Sequence, residues 1–143
     1  GLGAAGGFPL SLVAFLDAHL KSGFDALSDL VHLKTRMEKA DLIITGEGTI
    51  DPSTLNDKGP FKIGMMAHTL NKPVIAFGGA ANLQGKREAY PFDAVFSIMN
   101  GPMSLEDALD KTTAKKSLYF TATEVAKIMK MHLPIPEMLH PEV

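Results

Sequence analysis

Glu47 and Asp51 are carboxylates four positions apart, and they follow the apolar run Leu42-Ile43-Ile44-Thr45, with Gly46 and Gly48 on either side of Glu47. A short run rich in β-branched residues reads as a strand covered on both faces, the pattern of a parallel sheet. In open α/β sheets ligands bind beyond the carboxyl ends of the strands. Gly46 and Gly48 read as a sharp turn through which the backbone approaches a ligand closely. Two carboxylates at that place suit magnesium coordination or the deprotonation of a hydroxyl. Lys58, seven residues beyond Asp51, adds a point charge of the kind that meets a phosphoryl group. Each of the three also has a plain structural reading. Asp51 and Pro52 fit the N-cap and first position of a short helix, Glu47 a solvated turn, and Lys58 an exposed lysine.

Other motifs are weaker. Gly1-Leu2-Gly3-Ala4-Ala5-Gly6 matches G-x-G-x-x-G and leads into a helix, so its N–H groups could meet a phosphate. No strand precedes it, and the dinucleotide fingerprint requires one. A glycine-rich approach to a tightly packed helix and an anion-contacting loop in another fold are the competing readings. Five residues separate Gly79 from Gly85 where a P-loop has four, and Arg87 stands in the Ser/Thr position, so Walker A is rejected. Lys86 and Arg87 read as a solvated face with room for a phosphate contact. His19, His32, His68, His132 and His140 show no metal-ligand spacing. The methionines, among them Met65, Met66, Met129 and Met131, read as packing residues.

The elements that must position these residues alternate. Phe8 to Leu20 reads as a helix with Leu12, Phe15 and Leu16 on one face, ending near Gly23. Phe24 to Leu27 reads as a short strand. Asp29 to Lys39 reads as an amphipathic helix with Leu30, Leu33 and Met37 inward, leading into the strand Asp41 to Thr45. Beyond the glycine turn come a helix from Phe61 to Leu70 and a strand from Pro73 to Phe77 ending in Gly78-Gly79. A short helix from Leu83 to Tyr90 and a strand from Ala94 to Ile98 follow. Ser104, with Glu106 and Asp107, opens a further helix after the Gly101-Pro102 turn, and Thr112 to His132 is the longest. The segment from Pro134 to Val143 reads as an extended surface tail. This alternation is the signature of a doubly wound α/β fold, a Rossmann-like or flavodoxin-like three-layer parallel sheet. Only three or four strands are readable, fewer than most such sheets hold, so the domain is either small or completed by strands from elsewhere.

Composition narrows the function classes. The chain has 143 residues, 45% hydrophobic and 21% charged, enough for one buried core. A formal net charge of -2 provides no general field for nucleic acid or an anionic membrane. The absence of cysteine removes disulfides, thiolate metal sites and a cysteine nucleophile, and fits a reducing cytoplasm. No apolar run approaches the roughly 18 to 20 residues of a membrane span, and no signal peptide is visible.

Several motifs in one order resemble the bacterial glycerate kinases of the two-domain α/β type. They are Ala40-Asp41-Leu-Ile-Ile-Thr-Gly46-Glu47-Gly48-x-Ile50-Asp51 with Ser53/Thr54-Leu55 and Lys58-x-Pro60, then Gly3-Ala4-Ala5-Gly6-Gly7 with the Ala14-Phe15-Leu16 helix. Lys72-Pro73-Val74-Ile75-Ala76, Asp93-Ala94-Val95-Phe96-Ser97-Ile98 and Gly101-Pro102-Met103-Ser104-Leu105 continue the match. The resemblance implies an ATP-dependent, magnesium-requiring kinase that phosphorylates D-glycerate, usually at the 2-hydroxyl. It further implies that the chain is the C-terminal portion, with residues 1–23 at the junction to a second domain, 24–133 the Rossmann-like domain and 134–143 a tail.

Its site residues would be Glu47, Asp51 and Lys58, the first two also for magnesium, with Gly6, Gly7, Gly46, Gly48, Thr49, Gly78 and Gly79 along substrate or phosphate. Thr49 stands where the family usually has arginine, which removes a bidentate anion donor. Asp57 replaces a glycine, and Gly78-Gly79-Ala80 replaces an Ala-Gly-Ser turn. On this reading the partners are glycerate, ATP and the missing N-terminal part, with no nucleic acid or membrane; the oligomeric state stays open. The isolated chain is expected to be inactive. The alternative is a non-catalytic α/β binding or interaction module.

Overall fold

A computed structural model of the chain describes residues 3–56, 58–85 and 87–131. The expected tail, the end of the longest helix at His132, Asp57 and Lys86 lie outside them. β1 (Ile43–Ile50), β2 (Val74–Ala81) and β3 (Ala94–Ser97) form a parallel sheet in the order β1-β2-β3. The Rossmann-like α/β reading stands. β1 and β2 run past the glycines at which the sequence predicts turns: Gly46 lies beside Phe77, Glu47 beside Gly78 and Ile50 beside Ala81. Glycine is locally a turn residue, but the ladder between the two strands overrides that preference.

The glycines are instead required by close approach. A Cβ on Gly46 would stand 2.5 Å from the Phe77 carbonyl oxygen, and one on Gly79 2.5 Å from that of Gly48. Ile43 and Ile50, seven residues apart, are buried in the same cluster, although strict alternation would send them to opposite faces. The strand changes its facing across the Gly-Glu-Gly segment. Nor is β1 covered on both faces, since Ile44 is 62% exposed.

The helices follow their caps. α1 (Phe8–Leu16) is shorter than expected because Asp17 turns left-handed and Ala18 N–H closes on the Leu12 carbonyl at 3.2 Å. None of its residues is buried, and Phe15 and Leu16 are exposed. The segment expected as a short strand is α2 (Gly23–Leu30), whose N-cap Ser22 accepts from Asp25 N–H, with Asp25 in the first turn. His32, at φ 51°, separates it from α3 (Leu33–Glu38), so the expected Asp29–Lys39 helix is split and Leu30 is left exposed.

α4 (Gly59–Thr69) connects β1 to β2, and Lys62 ties α2 to it, donating to Ser22 Oγ at 3.2 Å with its ammonium 5.6 Å from the Phe24 ring centre. The expected Leu83–Tyr90 helix is reduced to a 3₁₀ turn at Arg87–Ala89, because Gly85 has φ 84°. Arg87 is no free cation: its guanidinium donates to the carbonyls of Phe92 and Tyr90 at 2.7 and 3.3 Å. α5 (Leu105–Leu109) and α6 (Lys111–Lys130) are capped by Ser104 and Asp110.

The core lies between α3, α4 and the sheet. Met37, Ile43, Ile50, Ala67, Val74, Ala76, Tyr90 and Phe92 form it. Fully burying a side chain such as Val74 contributes about 1.5–3 kcal/mol. Asp93 Oδ2 accepts from Val74 N–H at 2.7 Å and so fixes the start of β2 against the start of β3. Among the described residues no helix is long and apolar enough to cross a membrane.

Candidate functional site

β1 delivers Glu47 into a small polar cluster closed by the segment that follows. Asp51 is extended, and Pro52–Leu55 forms a 3₁₀ turn with Pro52 at its start, so Asp51 is an N-cap as one sequence reading had it. Its Oδ1 accepts from Ser53 N–H at 2.8 Å and from the Ser53 hydroxyl at 2.5 Å. The Ser53 hydroxyl bond first, helped by the Ser53 N–H and the positive charge of Lys58, holds the Asp51 carboxyl below the ordinary aspartate range against the opposing effect of desolvation.

Thr54 completes the cluster. Its side chain is fully buried; its hydroxyl accepts from Asp51 N–H at 3.1 Å and donates to Glu47 Oε1 at 2.5 Å. One hydroxyl thus closes a capping box and orients the glutamate. Lys58, the N-cap residue of α4, places its ammonium 3.4 Å from Glu47 Oε2. The glutamate side chain is 15% exposed and the lysine 41%, so the pair sits at the mouth of the site.

The structure therefore brings Glu47, Asp51 and Lys58 together, but through Thr54, a residue that the spacing of charges did not single out. The signal was present as Asp51-Pro52-Ser53-Thr54, a capping sequence with a hydroxyl at its third position. Gly46, Gly78 and Gly79 join Glu47 in lining a cavity of about 320 Å³, with Phe77, Ile98 and Leu118 on its apolar side. Gly48 and Thr49 lie on the adjoining stretch of β1, Thr49 beside Ala80. Gly6 and Gly7, both left-handed, lead into α1 and line neither of the cavities along β1 and β2.

Among the described residues no group of three or more His, Cys, Asp or Glu is placed to hold a metal ion. Glu47 and Asp51 alone match the way magnesium is usually held, by one or two carboxylates with the remaining ligands from phosphate and water. Glu47 is already matched by Lys58, and the Asp51 carboxylate accepts from the Ser53 hydroxyl and from the N–H groups of Ser53 and Thr54. The donor set thus fits a metal whose other ligands come with the substrate.

Comparison with known proteins gives a consistent result. A model described as "Glycerate kinase family" matches residues 1–130. The chain is 36% identical over 132 residues to a glycerate kinase of Bacillus subtilis, covering 92% of this chain and 34% of that protein. It is 37% identical over 109 residues to the glycerate 2-kinase of Escherichia coli, covering 76% of this chain and 29% of the relative. A crystal structure named as a glycerate kinase 2 from Salmonella typhimurium LT2 superposes with a TM-score of 0.59 at 36% identity, over 90% of this chain and 34% of that one. The chain spans about a third of the length of these relatives.

Proposed function

As the chain belongs to the glycerate kinase family, we propose that it supplies the carboxylate-and-lysine wall of an ATP-dependent phosphoryl-transfer site acting on D-glycerate. The observation that carries this reading is the Glu47–Lys58 pair at 3.4 Å, oriented through Thr54 beside a cavity at the sheet. The name of the Escherichia coli relative favours the 2-hydroxyl and 2-phosphoglycerate as product.

In this reading the Glu47 carboxylate accepts the proton of the glycerate hydroxyl as that oxygen attacks the terminal phosphorus of ATP. The bond from phosphorus to the bridging oxygen breaks, and ADP leaves with the electron pair. Lys58, freed from Glu47 by the arriving anion, neutralises charge on the transferring group. Asp51 holds the loop through its cap, and its carboxylate would help to hold magnesium together with phosphate oxygens. Magnesium, when bound, screens the phosphate charge. The bare backbone at Gly46, Gly48, Gly78 and Gly79 lets glycerate or nucleotide approach the strands, with Thr49 a neutral contact. Gly6 and Gly7 meet the substrate across the cleft once the rest of a full-length enzyme is in place. Such an activity locates the protein in the cytoplasm, where ATP is available.

Phosphoryl transfer requires groups on both sides of a cleft, so the 143-residue chain alone is expected to be inactive. A coupled assay of ATP consumption with D-glycerate tests this, and turnover at ordinary kinase rates by the chain alone would refute it. Activity belongs to a chimera in which this chain replaces the matching segment of the Bacillus subtilis relative. There Glu47→Gln is expected to lower kcat about 10²- to 10⁴-fold, the usual contribution of a general base. An active chimera that tolerates Glu47→Gln would return the cluster to a purely structural role, and an inactive chimera that folds would favour the binding-module alternative.

A further inference from the structure

Between the carboxyl ends of the strands and the α5–α6 pair lies a second cavity, of about 190 Å³. It shares Gly79 and Ile98 with the cavity beside Glu47, so the two adjoin. Gly48 and Gly79 belong to its sheet side, and Met99, Met103, Leu105 and Leu109 close it from the other. No charged residue lines it; its polar groups include the hydroxyls of Thr49, Thr113 and Ser117.

We infer that this cavity takes the purine ring of the nucleotide, whose phosphates then lead past Gly79 to Glu47 and Lys58. The inference rests on the nucleotide dependence proposed above. Four observations carry it. The volume is below the roughly 300–1,000 Å³ of whole small-molecule sites, so it has room for one ring system and not for a nucleotide with its phosphates. A neutral, methionine-lined wall excludes phosphate and glycerate, both of which need a cation, and suits the flat face of an aromatic ring, since thioether sulfur packs well against aromatics. Three hydroxyls can each donate or accept, as the ring nitrogens and exocyclic amine require.

The fourth observation concerns Gly48. Gly46 and Gly79 are confined by the neighbouring strand, but a Cβ on Gly48 would meet no atom within 4 Å, and its φ lies outside the left-handed region. Nothing among the described residues requires glycine there. Its bare backbone leaves a flat strip of strand beside the cavity for a planar ligand to lie against.

The test uses the 143-residue chain with methyl-labelled methionine, titrated by NMR with adenosine, ATP and D-glycerate. Adenosine and ATP are expected to shift the Met99 and Met103 methyl signals saturably, leaving Met65 and Met66 of α4 in place, while D-glycerate moves neither pair. Gly48→Val is expected to weaken adenosine binding at least tenfold without changing the unfolding midpoint. Shifts confined to other methionines, no shifts at millimolar nucleoside, or equal binding by Gly48→Val would each overturn the assignment. None of these results bears on the chimera assay. An inactive chimera alongside Met99 and Met103 shifts would remove the kinase reading and keep the nucleoside site.

Discussion

Thr54 makes two hydrogen bonds with one buried hydroxyl, one to the backbone of Asp51 and one to the carboxylate of Glu47. Thr54→Val keeps the shape and removes both. It is expected to cost about 1–3 kcal/mol in urea unfolding, because the Asp51 N–H loses its acceptor. Thr54→Ser should recover most of that, and a loss below roughly 0.5 kcal/mol for valine would mean that water reaches the site. Asp51 and Asp110 both titrate below the ordinary aspartate value of 3.8, the latter chiefly through the bond from Thr113 N–H. A depressed carboxylate stabilises the fold above its unfolded pKa, and that contribution is lost as pH falls through the folded value. The unfolding midpoint should therefore drop on acidification below about pH 4, and the drop should be shallower in the Asp51→Asn, Asp110→Asn double variant. Identical acid profiles would show that neither cap is ionised to advantage. The charges of this cluster were legible in the sequence, and so was the cap. The hydroxyl that joins them was not, because its role depends on Glu47 coming back over the turn.

At the scale of elements, β1 and β2 hold their close contact through residues without side chains. Gly46→Ala and Gly79→Ala each place a methyl 2.5 Å from a carbonyl oxygen of the facing strand. Each is expected to destabilise the chain by about 1–3 kcal/mol, the usual cost of overpacking. Gly48→Ala meets open space and should leave the midpoint unchanged within about 0.5 kcal/mol. Chemical denaturation separates the three variants, and equal losses would mean that strand propensity rather than contact sets the effect. The parallel sheet was readable from its β-branched runs at Ile43-Ile44 and Val74-Ile75. The glycine segments were not, since local preference and the pairing of distant strands pull in opposite directions there. The Phe24–Leu27 strand expectation failed for a related reason: four apolar-rich residues fit either period, and Ser22 with Asp25 settles the outcome as a helix.

For the molecule as a whole, apolar surface is distributed unevenly. Ile44, Phe15, Leu16 and Leu30 are 62%, 84%, 72% and 76% exposed, although the sequence places each on an apolar face. Ile44→Lys is expected to change the stability of this chain by no more than about 0.5 kcal/mol, as for other exposed positions. In the chimera the same substitution should cost more, if the added two thirds cover β1. Thermal melts of the two proteins decide it, and a large loss in the chain alone would contradict the exposure of Ile44. The fold class was legible because it depends on periodicity within segments. Which faces are covered was not, because that depends on what lies beside them.

The parallel register has a consequence in time. Ile43 pairs with Val74, so this contact of β1 has no counterpart until 31 further residues have been added. At translation rates of roughly 5–20 residues per second that interval is about 2–6 s, long compared with the microseconds in which a helix forms. Until β2 emerges, Ile43–Ile50 lacks that neighbour on the nascent chain. Its glycines, which later admit the neighbouring backbone, meanwhile lower its tendency to pair with the wrong one.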